Sequence, residues 1–307
     1  MFSIRPMRVL AIMFLIVGGV GTPAAAFADE PVHLNAIDGW VLDYADDSCA
    51  LRRTFGTQEA PVFLEVRQFS QLDEFQLTVA TGAYSSRRAA PLIGYVPDAE
   101  EYAPSGAIFA RFGEGVEGVI VSDTLHPVSV KEQIGKLAIS EYAERQDLRK
   151  WSDESRAERE AAISGILLRD TFAQDLLLDT GTLHRPFEAM RGCIDELLTH
   201  WGIDAEAHHS LTREAGPTDP ASTFRRLWRG YPSNMLRREL SAMLRVRLAI
   251  SAEGAVDGCH LQMEVADHQF EEAVCRILGR ERFIPALDAA GQPLRSYWVT
   301  SITYLMN

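Results

Sequence analysis

Between Leu244 and Ile250 the chain alternates without a break. Leu244, Val246, Leu248 and Ile250 are apolar, and Arg245, Arg247 and Ala249 stand between them. A period of two puts the four apolar side chains on one face of a strand. The pattern predicts a half-buried strand whose apolar face must be covered. Ala252-Glu253-Gly254 then turns the chain. A second strand is expected from Val256 to Val265, with Cys259, Leu261, Met263 and Val265 on one face and His260, Gln262 and Glu264 on the other. Phe270, Ala273, Val274, Ile277 and Leu278 recur at helical spacing, which predicts an amphipathic helix able to supply the cover. Phe283-Ile284-Pro285-Ala286, a turn from Asp288 to Gly291 and a last strand from about Ser296 to Leu305 follow. A short helix, about Asn234 to Met243, is expected after Tyr231-Pro232.

These pieces, taken in order, resemble the TonB C-terminal domain. The matching parts are Tyr231-Pro232, the Arg245-Val246-Arg247-Leu248 strand, Glu253-Gly254-x-Val256, Phe283-x-Pro285-Ala286 with Asp288 and Gly291, and the last strand. They cover roughly a quarter of the chain. Two positions depart from the family: Ala242-Met243 replaces a frequent glycine before the first strand, and Ala266-Asp267-His268-Gln269 replaces a frequent Ser-Ser-Gly turn. The resemblance implies two helices packed on a three-stranded antiparallel sheet over residues 225–307. It also implies that the last strand accepts an extended peptide from an outer-membrane transporter. The backbone groups concerned are those of Ser296, Tyr297, Trp298, Val299, Thr300, Ser301, Ile302, Thr303, Tyr304 and Leu305. Trp298 and Ile302 are read as core side chains.

Residues 1–28 read as an export signal. Arg5 and Arg8 precede an uninterrupted apolar or glycine run from Val9 to Gly21, and Ala26-Phe27-Ala28 fits small-residue cleavage. The alternative is an uncleaved inner-membrane anchor, although the run is shorter than the about 20 residues of a spanning helix. Either reading places the remainder outside the cytoplasm, in the periplasm of a Gram-negative envelope or tethered to its inner membrane.

Residues 29–224 carry 17 basic and 34 acidic residues, whereas residues 225–307 carry 11 and 9, so the charge steps near residue 225. The acidic body argues against nucleic acid as a partner. Residues 29–204 predict an α+β domain, mostly antiparallel, with closing helices. Trp40–Tyr44, Ala50–Phe55, Val62–Val66 and Phe75–Val79 read as short strands. Ala107–Phe112 and Val116–Val121 flank Gly113-Glu114-Gly115 as a hairpin. The pattern is helical from Ser129 to about Trp151, and Ile163–Leu168 with Leu176–Leu178 suggest a strand pair. Phe187, Met190, Ile194, Leu197, Leu198 and Trp201 form one face of a final helix that Gly202 ends. Around Trp40-Val41-Leu42-Asp43, Cys49-Ala50-Leu51 and Cys193-Ile194-Asp195 this part loosely resembles the N-terminal region of exported sphingomonad-type TonB-family proteins, which implies no activity. Residues 205–224, with Gly216-Pro217 and Asp219-Pro220, read as a flexible linker.

Four cysteines are an even set for an oxidising compartment. Cys275 sits about 140° from Phe270 on a wheel of about 100° per residue, off the helix stripe. A Cys259–Cys275 disulfide accounts for that offset. Elimination leaves Cys49 with Cys193, and two free buried thiols remain the alternative for that pair. No catalytic, cofactor or metal constellation is read. His184 has no placed nucleophile, and His208-His209 lacks helical ligand spacing and reads as a surface pair. The chain is thus expected to bind partner proteins in transmembrane transport rather than to catalyse a reaction. The alternative is a stand-alone envelope adaptor or sensor without energy transduction. Residues 1–28 contain no histidine of the motor-coupled kind, and the 14 prolines form no spacer.

Overall fold

The computed structural model describes residues 30–304 apart from 99, 105, 239–241 and 266–268. Residues 1–28, read above as an export signal, and Leu305 therefore lie outside the described residues.

The chain opens with β1 (Val32–Asn35), β2 (Val41–Ala45), β3 (Ser48–Gly56), β4 (Pro61–Gln68) and β5 (Phe75–Thr81). β6 (Leu92–Val96), β7 (Glu101–Tyr102), β8 (Ile108–Arg111) and β9 (Glu117–Asp123) follow, then α1 (Val128–Lys136), a 3-10 turn (Ile139–Glu141), α2 (Tyr142–Leu148) and α3 (Asp153–Ala162). β10 (Gly165–Arg169), β11 (Leu176–Asp179) and α4 (His184–His200) close this part. One antiparallel sheet runs β2-β3-β4-β5-β9-β8, and a second runs β1-β11-β10-β6-β7 with β1 parallel to β11. Alternation explains the layering. In β4, Val62, Leu64 and Val66 point inward, and their neighbours do not. Phe187, Met190, Ile194 and Leu198 bury the stripe of α4 on the same core as Leu51, Phe55, Leu77 and Val121. Cys193 of the same helix is also fully buried and is bonded to Cys49 of β3.

The structure departs from the sequence reading at three places here. The single helix over 129–151 is α1, a 3-10 turn and α2, because Leu137 and Ala138 are extended. Second, α3 has no strong apolar stripe to announce it; Ser152 caps it by accepting from Ser155 N–H at 3.1 Å. Third, residues 205–224 are not a free tether. They form α5 (Ala205–His209), β12 (Gly216–Pro217) and the start of α6 (Pro220–Arg229). Asp219 caps α6 by accepting from Ser222 N–H at 2.9 Å, with Pro220 in the first turn. The same Asp-Pro-Ala-Ser that resembles a linker is a helix start.

The C-terminal part continues with α7 (Ser233–Leu236), β13 (Ala242–Ile250), β14 (Val256–Val265) and α8 (Gln269–Leu278). β15 (Phe283–Ile284), β16 (Ala286–Leu287), β17 (Pro293–Leu294) and β18 (Ser296–Tyr304) end the described chain. Among the described residues, the helix expected over Asn234 to Met243 is the one turn of α7, and β13 already begins at Ala242. The helix that packs beside α8 is α6. β13 is the centre of a three-stranded antiparallel sheet in the order β14-β13-β18. Leu244, Val246, Leu248 and Ile250 of β13, Trp298 and Ile302 of β18, and Phe270, Val274 and Leu278 of α8 share a second core. Cys259 of β14 is bonded to Cys275 of α8. At the β13–β14 turn Gly254 has φ +79°, and a Cβ there would meet the Phe283 carbonyl oxygen at 2.1 Å, so only glycine fits.

The fold class is therefore mixed α+β with mostly antiparallel sheets. Pro31–Asn307 is one compact unit holding both cores. The reason lies on the second face of the C-terminal sheet. Arg245 and Arg247, the polar half of the β13 alternation, are 4% and 5% exposed. Arg245 Nη1 donates to Glu74 Oε1 at 2.6 Å, and Arg247 Nη2 donates to Asp47 Oδ1 at 3.0 Å. The Arg247 guanidinium lies 3.9 Å from the centre of the Trp201 ring. Gln262 Nε2 of β14 donates to the carbonyls of Asp47 and Phe69. Both faces of this sheet are thus covered, one by helices and one by the β-rich part.

Candidate functional site

β18 bonds β13 along Ser296↔Ile250 to Tyr304↔Ala242. Among the described residues no strand pairs with its other edge. Such an edge carries unpaired N–H and C=O groups and is a template for another strand. Of the ten residues read from sequence, Ser296 to Tyr304 form the strand. Ser296, Trp298, Thr300 and Ile302 are buried, and Tyr297, Val299 and Ser301 are partly so.

Ser296 to Val299 also line a cavity of about 560 Å³. Its other walls are the β4–β5 loop (Gln68 to Asp73), α2 and α3 with the segment between them, one side of α4, and residues 208–215. The cleft exists because α2 crosses close to the start of β18. Trp298 Nε1–H donates to the Tyr142 hydroxyl at 2.8 Å, and Gln146 Nε2 donates to the same oxygen at 2.6 Å. Tyr297 is held from the opposite side. Its hydroxyl accepts from Gln71 N–H at 3.1 Å, and its ring packs on Trp201 and His208.

Most charges around the cleft are already matched. Arg156 lies 2.9 Å from Asp73, Arg149 3.2 Å from Glu74, Arg191 2.5 Å from Glu160, and His209 3.0 Å from Asp195. Burial pushes the Asp73 carboxyl up in spite of Arg156. Glu214 differs from these. It has no hydrogen-bond or ion-pair partner among the described residues. Burial pushes its carboxyl above the usual range, outweighing the pull of Lys150 and Arg149.

The two histidines read as a surface pair have different fates. His209 is exposed. His208 is buried, donates through Nδ1 to the Asp204 carbonyl at 2.7 Å, and accepts at Nε2 from the Ser296 hydroxyl at 2.8 Å. Burial lowers its pKa, which keeps the ring in this neutral form. Ser296 and His208 have the spacing of a nucleophile and its base. Ser296 is only 2% exposed, however, so the pair serves to tie α5 to the start of β18. Sequence reasoning had no means to pair residues 88 positions apart. His184 sits 3.3 Å from Glu160, which is itself doubly bonded to Arg191. Among the described residues no group of three or more His, Cys, Asp or Glu could hold a metal ion, and no helix is long and apolar enough to cross a membrane. No protein-family model matches the chain, and no curated protein matches its sequence.

Proposed function

We propose that this protein binds partner proteins in the bacterial envelope by adding an extended peptide to the open edge of β18, as its resemblance to the TonB C-terminal domain implies. One observation carries this reading. β18 pairs with β13 alone among the described strands, and its first four residues line a cleft of about 560 Å³. That volume falls in the range of about 300–1,000 Å³ common to binding sites. Main-chain hydrogen bonds would supply the affinity and the cleft walls the selectivity. The natural occupant under this reading is the N-terminal peptide of an outer-membrane transporter, met in the periplasm.

Amide hydrogen exchange tests it. Transporter N-terminal peptides should slow exchange at alternate amides of Ser296–Tyr304, because only alternate N–H groups face the open edge. Unchanged exchange along β18, with the protein folded and both disulfides formed, rejects strand addition.

The ordering of residues 205–224 favours a second reading, an adaptor without energy transduction. Those residues are folded into the body, so they supply no spacer. Recovery of the mature chain from the soluble periplasm, free of the inner membrane, is the result that reading requires.

A further inference from the structure

We infer that Glu214 makes the cleft beside β18 a receptor for one positively charged side chain, the guanidinium or ammonium group of an arginine or lysine on the bound peptide. The inference rests on the strand-addition reading for the identity of the peptide, though not for the chemistry of the pocket.

Three observations carry it. Glu214 lines the cleft, half-buried, and has no partner among the described residues. Its carboxylate is half-buried rather than sealed, so it is open to a donor that enters the cleft. Second, the two cations that pull on its carboxyl have partners of their own: Lys150 lies 3.0 Å from Asp147, and Arg149 3.2 Å from Glu74. Third, the surroundings suit a flat or compact cation. A Cβ on Gly216, two residues on, would sit 3.5 Å from Cε1 of Tyr142, which places this segment against that ring. Aromatic faces attract cations as a carboxylate does. Gln146 also lines this cavity, and its Oε1 has no hydrogen-bond partner. A guanidinium, with five donors, can bond a carboxylate through two of them at once.

The test uses the full oxidised protein and small probes. Nα-acetyl-arginine N-methylamide is titrated beside its citrulline counterpart, which has the same shape and no charge. Wild type should prefer the arginine probe by about tenfold, the scale of one charge-assisted hydrogen bond. Glu214→Gln should bring the two probes together. That variant should melt no lower than the parent, because it gives up no partner. Equal binding of the two probes, a preference untouched by Glu214→Gln, or no arginine binding at tens of millimolar overturns the inference. The strand-addition reading fails separately. Peptide protection of β18 without an arginine preference removes only the role of Glu214. An arginine preference without β18 protection removes only strand addition.

Discussion

Arg245 Nη1 and Glu74 Oε1 are 2.6 Å apart, and this bond joins the central strand of the C-terminal sheet to the β4–β5 loop of the first part. Glu74 also holds Arg149 at 3.2 Å, and Arg245 bonds the Ser301 hydroxyl at 2.7 Å. Burial alone would raise the Glu74 carboxyl, but Arg245 and Arg149 together hold it below the usual range. Arg245→Ala leaves that buried carboxylate with a single partner. Breaking a buried pair from one side costs about 3–5 kcal/mol. Because Arg149 remains, a loss of about 3 kcal/mol is expected in denaturant unfolding, and Glu74→Gln should recover part of it. A loss below about 1 kcal/mol, the exposed-pair scale, means that the two parts are not coupled through this bond.

The two disulfides should differ in worth. Cys49–Cys193 spans 144 positions and Cys259–Cys275 spans 16. Loop-closure entropy gives about 5 and about 3 kcal/mol for them respectively. The double variant Cys49→Ala/Cys193→Ala should therefore lose more in thermal or chemical unfolding than Cys259→Ala/Cys275→Ala. Equal or reversed losses count against the entropic account.

His126 makes stability depend on pH. It is 4% exposed, stacks on Trp151 at 4.3 Å, and its Nε2–H donates to the Arg149 carbonyl at 3.2 Å. Burial lowers its pKa from 6.5 to about 4. The unfolded chain thus takes a proton near pH 6.5 while the folded one stays neutral. Its contribution is complete above pH 6.5 and is lost as pH falls towards 4, by about 3 kcal/mol. The raised carboxyls of Asp73 and Glu214 act in the opposite sense, since their folded forms hold protons more tightly. The readout is therefore the difference between wild type and His126→Asn. That difference should shrink between pH 6.5 and 4, and a flat difference refutes the assignment.

Gly254 and Gly291 have nearly the same φ, +79° and +75°, but different surroundings. A Cβ at Gly254 meets the Phe283 carbonyl oxygen at 2.1 Å, and at Gly291 it meets nothing within 4 Å. Gly291→Ala should cost about 1 kcal/mol from the left-handed backbone alone. Gly254→Ala should cost at least about twice that, because the β13–β14 turn must move away from β15. Similar losses would show that the turn adjusts freely.

The strands were legible wherever one face meets apolar cover and the other does not. The alternation in β13 and β4 and the helical stripes of α4 and α8 each state a period, and a period is a local property. Asp219 and Pro220 stated a helix start just as locally, but Gly216-Pro217 beside them reads equally well as a linker. α3 was hidden because its partners are polar: Arg159 reaches the Leu125 carbonyl and Glu160 reaches Arg191. Such bonds leave no hydrophobic pattern.

The order of strands, the pairing of Cys259 with Cys275, and the edge residues of the last strand follow from period, spacing and a family likeness. The burial of Arg245 and Arg247 does not. An arginine between two apolar residues has the same spelling whether it meets water or Glu74, and only the folded chain brings the partner 171 positions away to within 2.6 Å. The cleft has the same origin. Tyr142, Glu214 and Trp298 meet there from three separate segments, and Glu214 matters because of what tertiary packing leaves unpaired. Local sequence determined the faces of the elements; the distances between distant charges, which decide what those faces do, belong to the tertiary structure.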